Sequence, residues 1–207
     1  MSTNCPTCGE EYDALGIHLT HSDKCNPEIS DRKIEILRGI LMGDGWVSSS
    51  GRAIQAEWAN KKYPQYISKE LGWVSGDVKE RPDRNGIYQL NTISYDQIET
   101  TFSKWYKNGE KIWDTSYDLT NEAMRHLYAC DGSLKVREGR KSAATIGCAN
   151  ERDRIKRVIE WIDKSGFPRP TSHISNYGVE LYFSTDDTPK LLNMFDPVNG
   201  YEYKWDL

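Results

Sequence analysis

Two stretches of this sequence have the same form, an apolar helical segment that ends in Asp-Gly. They are residues 36–45 and 123–132. An acidic side chain at a helix C-terminus opposes the negative end of the helix dipole, so a carboxylate placed there twice indicates a function. We expect each glycine to end its helix in the left-handed conformation. If the two helices pack side by side, Asp44 and Asp131 meet at one end of their seam.

The elements after each copy recur in the same order, which indicates an internal repeat. The first copy is followed by a hairpin, a helix, two strands and a helix, predicted over residues 46–60, 64–71, 76–93 and 95–107. The second is followed by the same elements over residues 133–149, 154–162, 171–184 and 188–195. Asn85-Gly86 and residues 176–178 are suitable hairpin turns. Each repeat is therefore predicted to be α-β-β-α-β-β-α.

These segments resemble the paired signature helices of the LAGLIDADG homing endonucleases, in which the final Asp of each helix binds a metal ion. The final Asp falls on Asp44 and Asp131, and Gly43 and Cys130 directly before them are assigned to the same metal site. The resemblance implies an α+β fold of two pseudo-symmetric repeats with antiparallel DNA-binding sheets. His126 stands where the motif has a small residue, which implies a wider or polar helix crossing.

The chain divides, on this reading, into three parts. A small zinc-finger-like module is predicted over residues 1–29, the first LAGLIDADG repeat over 30–115 and the second over 116–207. We expect one chain to act as a monomeric pseudo-dimer.

Two neighbouring carboxylates repel each other unless a cation lies between them. Mg²⁺, or Mn²⁺ in its place, binds one or two carboxylates together with substrate phosphates. Phosphodiester hydrolysis is the natural reaction of such a site. The resemblance implies one cut in each strand of a duplex and 3′ overhangs.

Helper residues are predicted by position. In the family, a basic residue after the last helix of each half organises solvent near the scissile phosphates, and the matches are Lys111 and Lys204. A polar residue on the second strand is matched by Gln55 or Glu57 in the first half, whereas the second half offers only Gly147 or Thr145.

The total charge does not favour DNA binding, since 27 basic and 31 acidic residues give −4. The distribution does, because basic and amide side chains accompany the predicted hairpins, and a two-stranded ribbon fits the major groove. The DNA-binding candidates are Arg52, Gln55, Glu57, Lys61, Arg81, Arg84, Lys135, Arg137, Arg140 and Lys141.

The N-terminus carries a second metal motif, because Cys5 and Cys8 form a Cys-x-x-Cys knuckle followed by histidines and Cys25. Two Zn²⁺ ligand sets fit: Cys5, Cys8 and Cys25 with His18, which we favour, or with His21. A disulfide is the alternative, but an odd cysteine count and no signal peptide favour a reducing compartment. We expect a cytoplasmic protein, nucleoid-associated or in an organelle matrix, whose small module depends on its metal and adds a DNA contact or docks onto the larger domain.

The sequence thus predicts a site-specific homing endonuclease that acts on a long, asymmetric double-stranded DNA site. No apolar run is long enough to span a membrane. Two alternatives share the fold without cutting, an RNA maturase for intron splicing and a transcription regulator. A purely structural zinc-dependent interaction domain is a third.

Overall fold

The computed structural model describes residues 2–137, 140–175 and 178–207, without the side chains of Arg137 and Arg140. The predicted turn at residues 176–178 therefore lies mostly outside the described residues. The chain forms two compact units, one of Met1–Leu37 and Gly45–Lys104, the other of Arg38–Asp44 and Trp105–Leu207. None of the helices in the described ranges has the length and apolar character needed to cross a membrane.

The first unit contains a small N-terminal module and one α/β layer. In chain order its elements are β1 (Thr3–Asn4), β2 (Glu11–Tyr12), α1 (Leu15–His21), α2 (Asp31–Met42, whose last residues belong to the second unit), β3 (Gly45–Val47), β4 (Ile54–Trp58), α3 (Lys62–Leu71), β5 (Lys79–Glu80), β6 (Tyr88–Asn91) and α4 (Asp96–Phe102). β1 and β2 form a two-stranded sheet. The other strands form an antiparallel sheet in the order β3-β4-β6-β5.

Alternation along β4 determines which face of this sheet is buried. Ile54, Ala56 and Trp58 are buried, whereas Gln55 and Glu57 between them are half-buried on the other face. This period of two is the pattern of a strand with one face on the core. The polar face of β4 is therefore available to a partner.

The second unit repeats the same arrangement. Its elements are β7 (Tyr106–Lys107), β8 (Glu110–Lys111), α5 (Asn121–Asp131), β9 (Gly132–Arg137), β10 (Arg140–Gly147), α6 (Ile155–Lys164), β11 (Thr171–Ser175), β12 (Gly178–Tyr182) and α7 (Thr188–Leu192). The sheet order is β11-β12-β10-β9, antiparallel throughout. This is the order of the first sheet with each strand replaced by its counterpart. The predicted α+β class with two α-β-β-α-β-β-α repeats is confirmed.

The left-handed helix stop predicted for the motif glycines is wrong. Gly132 has φ −78° and ψ 151°, so it is extended and begins β9 directly after α5. The residue must be glycine for space instead, because a Cβ there would lie 2.2 Å from the carbonyl oxygen of Tyr128. On the first copy, α2 ends at Met42, and Gly45 likewise begins a strand.

The helix predicted over residues 95–107 is shorter than expected. α4 ends at Phe102 and a 3₁₀ turn, Ser103–Trp105, follows it. The chain then forms the hairpin of β7 and β8, whose turn holds Asn108 and Gly109 at positive φ. This hairpin brings Lys111 back towards the end of α2.

Candidate active site

The ends of α2 and α5 pack closely within the second unit. A Cβ on Gly39 would lie 2.4 Å from the carbonyl oxygen of Ala123 and 2.5 Å from the Cβ of His126. A Cβ on Gly43 would lie 2.4 Å from the Cβ of Cys130. Two backbones this close require glycine on one side of each contact. The two glycines of α2 therefore set the helix crossing.

The expectation of a wider crossing at His126 is wrong, and that of a polar one is correct. The His126 side chain is fully buried, and its Nε2 lies 3.4 Å from the Glu122 carboxylate one turn earlier. The imidazole is accommodated because Gly39 supplies the missing volume on the facing helix. The crossing is thus both close and polar.

This packing brings Asp44 and Asp131 to the same end of the seam. Asp131 is the last residue of α5 and keeps solvent exposure, and Asp44 is half-buried two residues beyond α2. Burial of the carboxyl group, and next the charge of Asp44, raise the pKa of Asp131 from 3.8 to about 6, against the opposing effect of Lys111 and Lys204. Two acids that disfavour each other's ionisation form a site suited to a cation.

Lys111 and Lys204 occupy equivalent positions at the two helix ends. The Lys111 ammonium donates a 2.6 Å hydrogen bond to the carbonyl oxygen of Gly43. That of Lys204 donates to the carbonyl oxygen of Ala129 at 2.6 Å and to that of Cys130 at 3.3 Å. Burial lowers the pKa of both lysines, while nearby acidic groups oppose this effect. Each lysine therefore compensates the negative helix end that carries the aspartate.

Two further side chains support this end of the seam and were missed in the sequence. The Trp113 indole donates a 3.0 Å hydrogen bond to the carbonyl oxygen of Met42. Its backbone N–H in turn donates to the fully buried carboxylate of Glu151 at 2.7 Å. Glu151 lies in a charged run, Glu-Arg-Asp-Arg, which is typical of a solvated turn. Nothing in its sequence pattern indicates burial.

An open cavity of about 480 Å³ lies beside Asp131. Its wall includes Gly43, Lys111 and Asp131 from the helix ends, and His173 and Glu180 from β11 and β12. His173 and Glu180 are cross-strand partners, and Glu180 accepts a 2.7 Å hydrogen bond from Lys135 on β9. The cavity therefore joins the carboxylate to the polar face of the second sheet.

The polar strand candidates have different surroundings in the two repeats. In the first unit Gln55 accepts a hydrogen bond from the Trp46 indole at 2.9 Å, and Glu57 accepts from Arg81 and Arg84. In the second, Thr145 is buried and Gly147 lines the cavity, where a Cβ would meet Asp131 only at 3.8 Å. Gly147 is thus the candidate beside the aspartate, and it offers space rather than a polar group.

Most of the described basic candidates for DNA contact lie in surface ion pairs. Arg52 pairs with Asp96, Arg81 and Arg84 pair with Glu57, Lys135 pairs with Glu180 and Lys141 pairs with Asp186. The Lys61 ammonium lies 5.7 Å from the centre of the Tyr88 ring. Arg137 and Arg140 belong to β9 and β10, but their side chains are outside the described part of the chain.

The N-terminal residues form a separate cluster of metal-ligating groups in the first unit. One ligand atom from each of Cys5, Cys8, His18 and Cys25 lies within 4.8 Å of all the others. β1, β2 and α1 carry or flank these residues, so the fold is a small ββα unit. His21 lies outside the cluster, is exposed, and lines a groove against Trp73. The arrangement brings together the ligand set that contains His18.

Comparison with solved structures shows the same fold in DNA endonucleases. The homing endonuclease I-WcaI, bound to its DNA recognition sequence, is 17% identical with a TM-score of 0.73 over 87% of this chain and 88% of that one. I-DmoI in complex with DNA and Ca is 16% identical with a TM-score of 0.52 over 82% and 91%. Full-length DUF199/WhiA from Thermatoga maritima is 14% identical with a TM-score of 0.53 over 82% and 57%. No curated protein sequence matches significantly.

The sequence profile of the LAGLIDADG DNA endonuclease family matches residues 34–191, which is more than half of the chain. The match includes both Asp-Gly segments and ends within α7. The resemblance carried by those segments is therefore confirmed at the level of family and fold. This chain belongs to the LAGLIDADG DNA endonuclease family.

Proposed function

We propose that the protein is a site-specific endonuclease that cuts both strands of double-stranded DNA with divalent metal at Asp44 and Asp131. The observation that carries this proposal is the meeting of the two carboxylates at the ends of closely packed motif helices, each beside a buried lysine. A non-cleaving relative has no need to keep two carboxylates that disfavour each other's ionisation.

The donor set fits Mg²⁺ or Mn²⁺. Asp44 and Asp131 would supply carboxylate oxygens, and the carbonyl oxygens of Gly43 and Cys130 retain a lone pair beside their lysine bonds. When bound, such a cation neutralises charge on a phosphodiester undergoing hydrolysis and lowers the pKa of bound water. The raised pKa of Asp131 supports this assignment, since a cation at this point removes the repulsion from Asp44.

Lys111 and Lys204 would each position solvent and the scissile phosphate on one strand. Their ammonium groups are anchored to helix carbonyl oxygens and lie close enough to raise or lower the protonation of Asp131. An ammonium fixed in this way remains oriented while the phosphate charge develops, so little reorganisation is needed.

The partner is proposed to be duplex DNA with a long, asymmetric site. The polar sheet faces carry arginine, lysine and amide groups suited to base edges and phosphates. I-WcaI and I-DmoI are titled as complexes with DNA, which supports the same partner for this chain. The first sheet presents Gln55 and Glu57 with its arginines, whereas the second presents Lys135, His173 and Glu180. Two unlike surfaces favour an asymmetric target.

We also propose that Cys5, Cys8, His18 and Cys25 hold one Zn²⁺. Three thiolates and one imidazole form a tetrahedral donor set that Zn²⁺ prefers, and the four ligand atoms already converge. A reducing cytoplasm or organelle matrix keeps such thiols available. Metal analysis of the purified chain is expected to find about one zinc per protein, and loss of zinc in Cys8→Ser with retention in His21→Ala would support this set. Retention in Cys8→Ser would contradict it.

The decisive test of the endonuclease is selection of cleaved ends from a randomised duplex library with Mg²⁺. We expect one long motif with 3′ overhangs, and no enrichment with Asp44→Asn or Asp131→Asn. A variant outside the site, Lys24→Gln, serves as the matched control and should select the same motif. If the wild type binds duplex DNA or intron RNA without enriching any ends, the non-cleaving regulator or maturase replaces the endonuclease.

A further inference from the structure

The first turn of α4 connects the N-terminal module, residues 2–29, to the rest of the first unit. The Tyr95 hydroxyl donates to the Asn26 side-chain oxygen at 2.6 Å and lies 2.8 Å from the carbonyl oxygen of Pro27. The Gln97 amide bonds both backbone groups of Ile29, accepting from its N–H at 2.7 Å and donating to its carbonyl oxygen at 3.3 Å. Tyr95 and Ile29 are buried. These contacts begin immediately after Cys25, the last residue of the metal cluster.

The same turn also contacts the loop between β3 and β4. The Tyr95 backbone N–H donates to the carbonyl oxygen of Arg52 at 2.8 Å, and the Arg52 guanidinium pairs with Asp96. Three consecutive residues, Tyr95, Asp96 and Gln97, which we call the α4 bridge, thus contact the module on one side and the β3–β4 loop on the other. Arg52 is one of the residues expected to contact DNA.

The charge of the module does not suit a DNA contact of its own. Residues 2–29 contain one basic residue, Lys24, and five acidic ones, whereas residues 30–207 contain 26 of each. The entire net charge of −4 therefore resides in the module. Three thiolates around one Zn²⁺ would make it more negative still. A surface of this charge is repelled by phosphates.

We propose that the zinc module acts as an internal brace, through which zinc binding orders the β3–β4 loop and strengthens DNA binding without a contact between the module and DNA. The module has too little core to fold without its metal, so zinc decides whether Asn26, Pro27 and Ile29 are held in place for the α4 bridge. The bridge then decides where Arg52 lies. This proposal rests on the zinc site and the DNA partner proposed above.

The second repeat supplies an internal control. There the Thr188 hydroxyl accepts a 2.8 Å hydrogen bond from the Ala144 backbone, and Lys141 pairs with Asp186. The start of α7 thus contacts β10 as the start of α4 contacts the β3–β4 loop, but its partners come from its own repeat. Loss of zinc should leave these contacts intact.

Hydrogen exchange of the full chain, with zinc and after chelation, tests the brace directly. We expect exchange to rise about fivefold or more in residues 48–56 and 92–99, because opening there follows the loss of docking hydrogen bonds. Peptides covering residues 141–147 and 184–190 should not change. A rise confined to residues 2–29, or an equal rise in both repeats, overturns the proposal.

Variants that keep zinc separate the brace from the metal site itself. Tyr95→Phe combined with Gln97→Leu removes the docking bonds but leaves all four ligands, so it should retain zinc. Its affinity for the randomised duplex library, measured in an Asp131→Asn background to prevent cleavage, should fall about tenfold. Lys24→Gln, which removes the only cation of the module, should bind as the parent does.

The outcomes are distinguishable from failure of the earlier proposals. Weaker binding by Lys24→Gln, with unchanged binding by the double variant, would show that the module contacts DNA and would overturn the brace. If the parent chain holds no zinc, both the metal site and the brace are wrong. If the parent holds zinc but binds no duplex, the DNA partner is wrong, and the brace survives only as the exchange result shows.

Discussion

At the scale of single residues, the site combines groups whose charges oppose the fold. Asp131 has a pKa of about 6 in the folded chain against 3.8 for an ordinary aspartate, chiefly because burial disfavours the ionised form. The folded protein therefore binds more protons than the unfolded chain between pH 4 and 6. Stability should fall as pH rises through that window and stay reduced above it.

Asp131→Asn should therefore stabilise the metal-free protein above pH 6 while abolishing cleavage. The shift of about two units corresponds to about 3 kcal/mol, which we reduce to about 1 kcal/mol because Asp131 is solvent-exposed. Urea unfolding at pH 4 and pH 7.5 measures the effect, and the gain should appear only at the higher pH. Equal gains at both pH values would show that ionisation of Asp131 is not the cause. Added Mg²⁺ should stabilise the wild type and not the variant.

The two lysines permit a matched comparison of the half-sites. Lys111→Met and Lys204→Met each remove an ammonium that is bonded to a helix carbonyl oxygen and keep a chain of similar length. We expect each to slow cleavage of one strand by at least about 100-fold, because each positions solvent for one phosphate. Nicked duplex should then accumulate, with opposite strands nicked in the two variants, and strand-specific end labels report it. Equal slowing of both strands would mean that the lysines act on a shared site.

At the scale of elements, the sequence predicted the order of the repeats better than their junctions. Amphipathic and alternating patterns identify helices and strands, and both repeats were found in this way. The role of the motif glycines was misread, because a glycine required for a close contact and one required for positive φ look alike in a sequence. Likewise the partners of Trp113 and Glu151 come from distant parts of the chain, so no local pattern could reveal them.

Gly39→Ala tests the close contact of the motif helices. A Cβ there would meet the Ala123 carbonyl oxygen and the His126 Cβ at distances that no real contact allows, so the helices must separate. We expect a loss of about 2 kcal/mol in unfolding free energy together with a large loss of cleavage. Gly16→Ala in α1 is the control, since its Cβ would contact Ile93 at an ordinary 3.6 Å. If Gly39→Ala is as stable as this control, the seam is more adaptable than its geometry indicates.

At the scale of the whole molecule, one chain contains both motif helices and therefore both aspartates. We expect a monomer in solution and one chain per duplex, because a second copy has no motif helix left to complete. Light scattering after gel filtration, without and with DNA, measures both numbers. A dimer that alone cleaves DNA would refute this stoichiometry.

The ion pairs on the polar sheet faces have a consequence for how such a protein finds its target. Arginine and lysine side chains that already have carboxylate partners must exchange these partners for phosphates, so each gains less on random DNA than a free cation does. Binding to unrelated sequence is then brief. The protein searches by frequent release and rebinding, and it remains only where base contacts add to the exchange.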